Sequence, residues 1–264
     1  MDAELSARFA AEVDWPKVVD PYTPWQHGPD LLERVWSPDA RTADDAHADL
    51  HVACCGDGSS VLPAAVEVLP FLVRAAGDPD VRVRPQILDT LAVLGRAGNA
   101  ARPTAPGPKP GGWRPTAPAA WPAAWYRATD ALLPGLADGD EAVRAGVAAV
   151  LAQATGRADD LVDRLRSRLE DEPEQPRVAP ALADLVRICP PGGAPPTIVE
   201  AVELLAEVAA ADPAAATAVA PRVRHLLDTD ERPVRHDQWR AVLSDDALLA
   251  AVRTVVGAAH AAGA

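Results

Sequence analysis

A chain of 264 residues with 48% hydrophobic but only 4% aromatic content can bury a sizeable core, yet it lacks the Phe and Tyr that fill β-sandwiches and barrels. Ala, Leu and Val supply most of the apolar content, and such small, helix-favouring side chains let helix axes approach closely, so an all-α fold is expected. The formal net charge of −13 repels a phosphate backbone and so argues against nucleic acid as a partner.

Residues 1–27 are dense in Pro and Trp (Trp15-Pro16, Pro21-Tyr22, Pro24-Trp25), which prevents a long helix. A segment of this kind suits the open end of a helical array, anchored by Trp15, Trp25 and Trp36. The competing role for Trp25 and the nearby His27 is contact with a ligand. From residue 28 the pattern turns helical over 30–36, then 40–55, with Ser37 as the expected cap, Pro38 in the first turn, and Ala43, Ala46, Leu50 and Ala53 at helical spacing. Gly56-Asp57-Gly58-Ser59 breaks the chain. The next helix, 61–76, carries Pro70 inside it, which removes one backbone donor and is expected to kink it.

A phrase then follows that occurs twice: Asp78-Pro79-Asp80-Val81-Arg82-Val83-Arg84 and Asp138-Gly139-Asp140-Glu141-Ala142-Val143-Arg144, both of the form Asp-x-Asp-x-x-Val-Arg. Each copy lies between two apolar helical stretches, as expected of a helix-turn-helix repeat. In such a turn the first Asp can cap, the Val can enter the core and the Arg can reach a carboxylate of an adjacent repeat. The helix after the first copy is expected over 80–96, with Ile87, Leu88, Leu91 and Leu94 buried.

The period fails over 99–122, where Pro103, Pro106, Pro108, Pro110, Pro115, Pro118 and Pro122 forbid a helix, so this stretch reads as a loop inserted into a repeat. Helices resume over 120–136, 141–154, 158–170, 176–188, 196–210, 213–228 and 245–261, about five pairs in all within the tolerance of boundary assignment. A degenerate copy of the phrase, one residue longer, spans Asp228 to Arg235.

The repeated phrase and the proline within 61–76 resemble HEAT repeats. More narrowly, Val13-Asp14-Trp15, Pro21-Tyr22, Leu31-Leu32, Ser37-Pro38-Asp39, Val61-Leu62-Pro63-Ala64-Ala65 and Val68-Leu69-Pro70-Phe71-Leu72 look like uncharacterised HEAT-repeat domain proteins of actinobacteria. The resemblance covers most of residues 13–150. Where those proteins usually show His-Gln-Gly before the helix at Val61, this chain has Cys55-Gly56-Asp57-Gly58. The resemblance implies one right-handed α-solenoid over 1–264 that is used for binding, and it brings no agreed substrate or catalytic residues.

Among residues that could carry chemistry, Asp44, His47 and His51 fall one helical turn apart on a single strip, followed by Cys54-Cys55. That is the spacing of metal ligands, yet the Glu of the His-Glu-x-x-His motif is absent. Mutual His and Asp hydrogen bonds beside the core stripe are the alternative, and neither metal nor cofactor is expected. The Trp-rich insertion is the second candidate: Trp113, Trp121 and Trp125 offer large rigid contact area, while Trp121 and Trp125 equally fit the start and core of the next helix. No nucleophile elbow, phosphate-binding glycine loop or Cys-x-x-Cys pair is present, and three cysteines without an evident pairing suit a reduced, cytoplasmic setting. Residues Met1 to Glu4 do not begin an export signal, and no segment has the run of about twenty apolar residues that crosses a bilayer.

The function expected is therefore binding or scaffolding, with a protein or peptide partner of basic character held on the concave face, and with no role for nucleic acid or membrane. The alternative is a solenoid that binds or transforms a small molecule at His47, His51, Trp25 and Trp113. A HEAT-like DNA glycosylase stands behind both, because the charge lacks the cationic track it needs.

Overall fold

The computed structural model describes residues 11, 13, 28–56, 58–101, 115–171, 175–188, 195–224 and 246–262. Trp15, Trp25, His27, Trp113, Cys189 and the third phrase lie outside them. The described residues are all-α, with no strand among them, and none of their helices is long and apolar enough to cross a membrane.

Contacts group the chain into two compact units, Met1–Val150 and Leu151–Ala264. In the first unit the helices are α1 (Gly28–Val35), α2 (Ala40–Cys55), α3 (Pro63–Gly77), α4 (Arg84–Ala100) and α5 (Trp121–Leu132), with all but the last residue of α6 (Glu141–Leu151). Here α2 packs on both α3 and α4, and α3 packs on both α4 and α5. Helices α2 and α3 thus each meet their successor and the helix after that, the arrangement of stacked helix pairs. The second unit repeats this rule: α7 (Ala158–Asp171) packs on α8 (Gln175–Ile188) and α9 (Pro195–Ala211), and α8 packs on α9 and α10 (Pro213–Val223). Both α9 and α10 then pack on α11 (Asp246–Ala262).

Small residues set the spacing. Ala43, Ala46 and Ala53 of α2 and Ala64 and Ala65 of α3 are fully buried, interleaved with Leu50, Leu69, Leu72, Ile87, Leu88, Leu91 and Leu94. A methyl on Gly146 of α6 would come within 2.8 Å of the Leu88 side chain, so α4 and α6 touch where only hydrogen fits.

Four boundaries depart from the expected ones. The cap of α2 is Asp39, not Ser37: Asp39 accepts the Thr42 N–H at 2.8 Å, and Ser37 Oγ accepts the Asp39 N–H at 3.2 Å. Helix α4 starts at Arg84 rather than 80, because the turn from Asp78 occupies the intervening residues and Pro85 suits a first turn. It also continues past Gly98 to Ala100. Helix α5 gives way after Leu132 to a 3-10 turn, Leu133–Ala137, at Pro134-Gly135.

The first Asp of the repeated phrase closes its turn in the same way in both copies. Asp78 Oδ1 accepts the Asp80 N–H at 3.0 Å and Asp138 Oδ1 accepts the Asp140 N–H at 2.8 Å, which fixes each turn. The second oxygen of each takes a donor from earlier in the chain: Trp36 Nε1 donates to Asp78 Oδ2 at 2.9 Å, and Arg84 Nη2 donates to Asp138 Oδ2. Val83 and Val143 are buried, as the phrase implied.

Candidate functional site

The strip of Asp44, His47 and His51 lies on α2 where that helix meets α4. Between them the two helices bury Ala43, Ala46, Leu50, Ile87 and Leu91, which sets their register. That register brings Thr90 of α4, which is 1% exposed, under the two imidazoles. His47 Nε2 lies 2.9 Å and His51 Nδ1 2.8 Å from the same Thr90 Oγ1, and the two rings are 6.3 Å apart between centroids. Two half-buried histidines therefore share one buried hydroxyl across a helix seam.

The electrostatics of the seam are mixed. Burial pushes the His47 imidazole below its ordinary value, helped by neighbouring His51; the Gln86 backbone and the Asp44 and Asp89 carboxylates oppose the shift without cancelling it. Asp44 and Asp89 are themselves exposed. Among the described residues no three His, Cys, Asp or Glu side chains are grouped so as to hold a metal ion.

Thr90, Gln86 and Asp89 were not singled out by sequence reasoning. The available signal was Thr90 itself, a hydroxyl within the otherwise apolar stripe of Ile87, Leu88, Leu91 and Leu94. A buried hydroxyl needs a partner, and the histidines supply it.

At the end of α2, Cys54 and Cys55 are buried thiols. Burial raises the Cys55 thiol to about 12, against the weaker pull of Arg96, so it is not a nucleophile at neutral pH. Gly56 and Gly58 then turn the chain with φ of 56° and 80°, the left-handed region that glycine adopts without strain.

The last residues of the insertion are fastened to this turn. Val61 N–H donates to the Thr116 carbonyl at 2.9 Å, and Thr116 N–H donates to Ser60 Oγ at 2.8 Å. Trp121 and Trp125 open α5 as a stacked pair with centroids 5.1 Å apart, both buried. They lie in the core, as the packing alternative has it, and Trp121 rests on Gly98, about two turns along α4 from Thr90. An open cleft of about 420 Å³ marks the α1–α2 corner, lined by Asp30, Glu33, Arg34, Trp36, Ser37, Pro38 and Thr42.

No family model matches the sequence, and no curated protein matches it either. Two solved structures are similar in the course of their helices. One is an engineered protein, 16% identical with a TM-score of 0.42 over 88% of this chain and 96% of that one. The other is a designed armadillo repeat protein, also 16% identical, with a TM-score of 0.46 over 88% of this chain and 99% of that one.

Proposed function

We propose that this chain is a HEAT-like repeat protein of the cytoplasm that holds a protein or peptide segment of basic character on the face shared by α2 and α4, without chemically transforming it. The HEAT-like part is supported by the same turn closure at Asp78 and at Asp138. The binding part rests on one observation: exposed charged groups of both helices act on the seam, Asp44 of α2 and Asp89 of α4 on His47, and Arg96 of α4 on Cys55. Val52 is 50% exposed and offers an apolar contact, while Asp44 and Asp89 present negative charge in the first half of each helix. A cationic segment gains on-rate and orientation from such a face, and the contact weakens with salt.

The test is a quantitative pull-down from the native cell with the wild type and with Asp44→Lys/Asp89→Lys, at low and at high salt. Both residues are exposed, so the reversal leaves the core untouched. A partner retained by the wild type at low salt and lost by the double variant supports the reading. Identical captures by both proteins, or none by either, overturn it.

A further inference from the structure

We infer that His47, Thr90 and His51 form a latch across the α2–α4 seam that stays closed with no added proton or one and opens with two. The argument is a count of hydrogens. Thr90 has one hydroxyl proton and two lone pairs, and each histidine presents to it a single nitrogen, at 2.9 and 2.8 Å.

With both rings neutral, one nitrogen donates to Oγ1 and the other receives the Thr90 proton, so both contacts are made. Add one proton to the pair and the same arrangement survives: the cationic ring donates, and the hydroxyl donates onward to the neutral ring. Add a second and both nitrogens are donors. Oγ1 must then accept twice and turn its own proton away, with two cations whose ring centres are 6.3 Å apart over a hydroxyl that is 1% exposed. Like charges at that separation in a half-desolvated site repel strongly.

The charged groups acting on His47 are Asp44 of its own helix and Asp89 of α4, both favouring a proton, and His51, which disfavours it. Arg96, farther along α4, acts on Cys55 at the end of α2 and adds positive charge to the same seam. The two carboxylates are exposed and screened, so they favour the first proton and do not offset the repulsion created by the second. Opening separates α2 from α4, and this holds whether or not a partner binds there.

The test is native-state hydrogen exchange of the full chain, corrected for intrinsic rates, at about pH 7.5 and about pH 5. Wild-type amides of α2 facing the seam should lose about tenfold in protection at the lower pH, while those of α9 in the other unit keep theirs. His51→Gln can carry only one proton on the latch and should lose clearly less α2 protection than the wild type, the remainder being the cost of charging the half-buried His47; His47→Gln lacks that cost too and is the second such variant, should the first fold poorly. Thr90→Val should show weak α2 protection at both. Flat wild-type protection, or an equal loss in both single-histidine variants, overturns the latch.

Discussion

Arg84, the last residue of the first repeated phrase, donates through Nη2 to Asp138, the first residue of the second. The same guanidinium donates through Nε to the Ala76 carbonyl at 2.9 Å, so one side chain ties the end of α3 to the turn that precedes α6. Its side chain is 9% exposed and that of Asp138 23%. Removing one member of a largely buried pair leaves the other desolvated and alone, along with an unmet carbonyl. Arg84→Ala should therefore destabilise the first unit by about 3 kcal/mol in urea unfolding. Arg84→Lys, which cannot make both donations at once, should cost about half as much. A loss below about 0.5 kcal/mol for Arg84→Ala would show that the pair is ornamental.

Acid should act on this protein in two steps of different origin. At Asp138, burial opposes ionisation, but the hydrogen bonds from Arg84 and the Asp140 N–H outweigh it and hold the carboxyl below its usual range; at Asp78, Trp36 and the Asp80 N–H do the same. A carboxyl whose folded value is depressed contributes stability that is present above about pH 4, its unfolded value, and lost as pH falls through the folded one. His47, also depressed on folding, contributes in a higher window, lost as pH drops from about 6.5 through its folded value. Stability measured against pH should thus fall first below about 6.5 and again below about 4. His47→Gln should remove part of the first fall, and Asp138→Asn part of the second. A single transition confined to the lower window would contradict the assignment to His47.

Local chemistry was legible in the sequence where it depends on neighbours along the chain. The Asp-x-Asp phrase announced its own turn, and its Arg announced a carboxylate in an adjacent repeat, which Arg84 finds in Asp138, whereas Arg144 of the second copy donates to the carbonyls of Asp138 and Gly139 in its own turn. The His47–His51 strip was legible for the same reason, because helical spacing alone aligns it. Thr90 as the shared partner was not: it lies 43 residues from His47, and its arrival under the rings depends on the α2–α4 register, which is set by packing of Ala46, Leu50, Ile87 and Leu91 together. The end of α4 was misread for a related cause. The helix was expected to end at 96, before Gly98, whereas Gly98 is the place where Trp121, near the end of the insertion, lies against the helix.

Thiol chemistry offers a separate check on the core. Cys54 and Cys55 are 0% and 1% exposed, and burial lifts the Cys55 thiol to about 12, so neither accessibility nor thiolate population favours attack. Site-resolved mass spectrometry after brief iodoacetamide treatment at neutral pH should find both unmodified in the native protein and both alkylated in denaturant. Native alkylation of Cys55 at the rate of an exposed thiol would mean that the end of α2 opens far more readily than its packing implies.

The contact of Gly98 with Trp121 yields the last prediction. A Cβ on Gly98 would overlap the Trp121 indole, its Nε1, Cδ1 and Cε2 atoms being the nearest, so Gly98→Ala must displace the ring that stacks on Trp125. Alanine in mid-helix favours folding by about 1 kcal/mol over glycine, while overpacking of this kind costs about 1–3 kcal/mol. The clash wins because the opposing atoms belong to a rigid ring held by a second one, and a net loss of about 1–2 kcal/mol is expected. Trp121→Leu removes the obstruction as well as apolar contact, so it should destabilise alone yet leave Gly98→Ala harmless or favourable when the two are combined. The coupling is read from a double-mutant cycle in urea, with the tryptophan emission reporting the stack. Strict additivity would show that α4 and α5 adjust their spacing freely, and that Gly98 is not what admits Trp121 to the core.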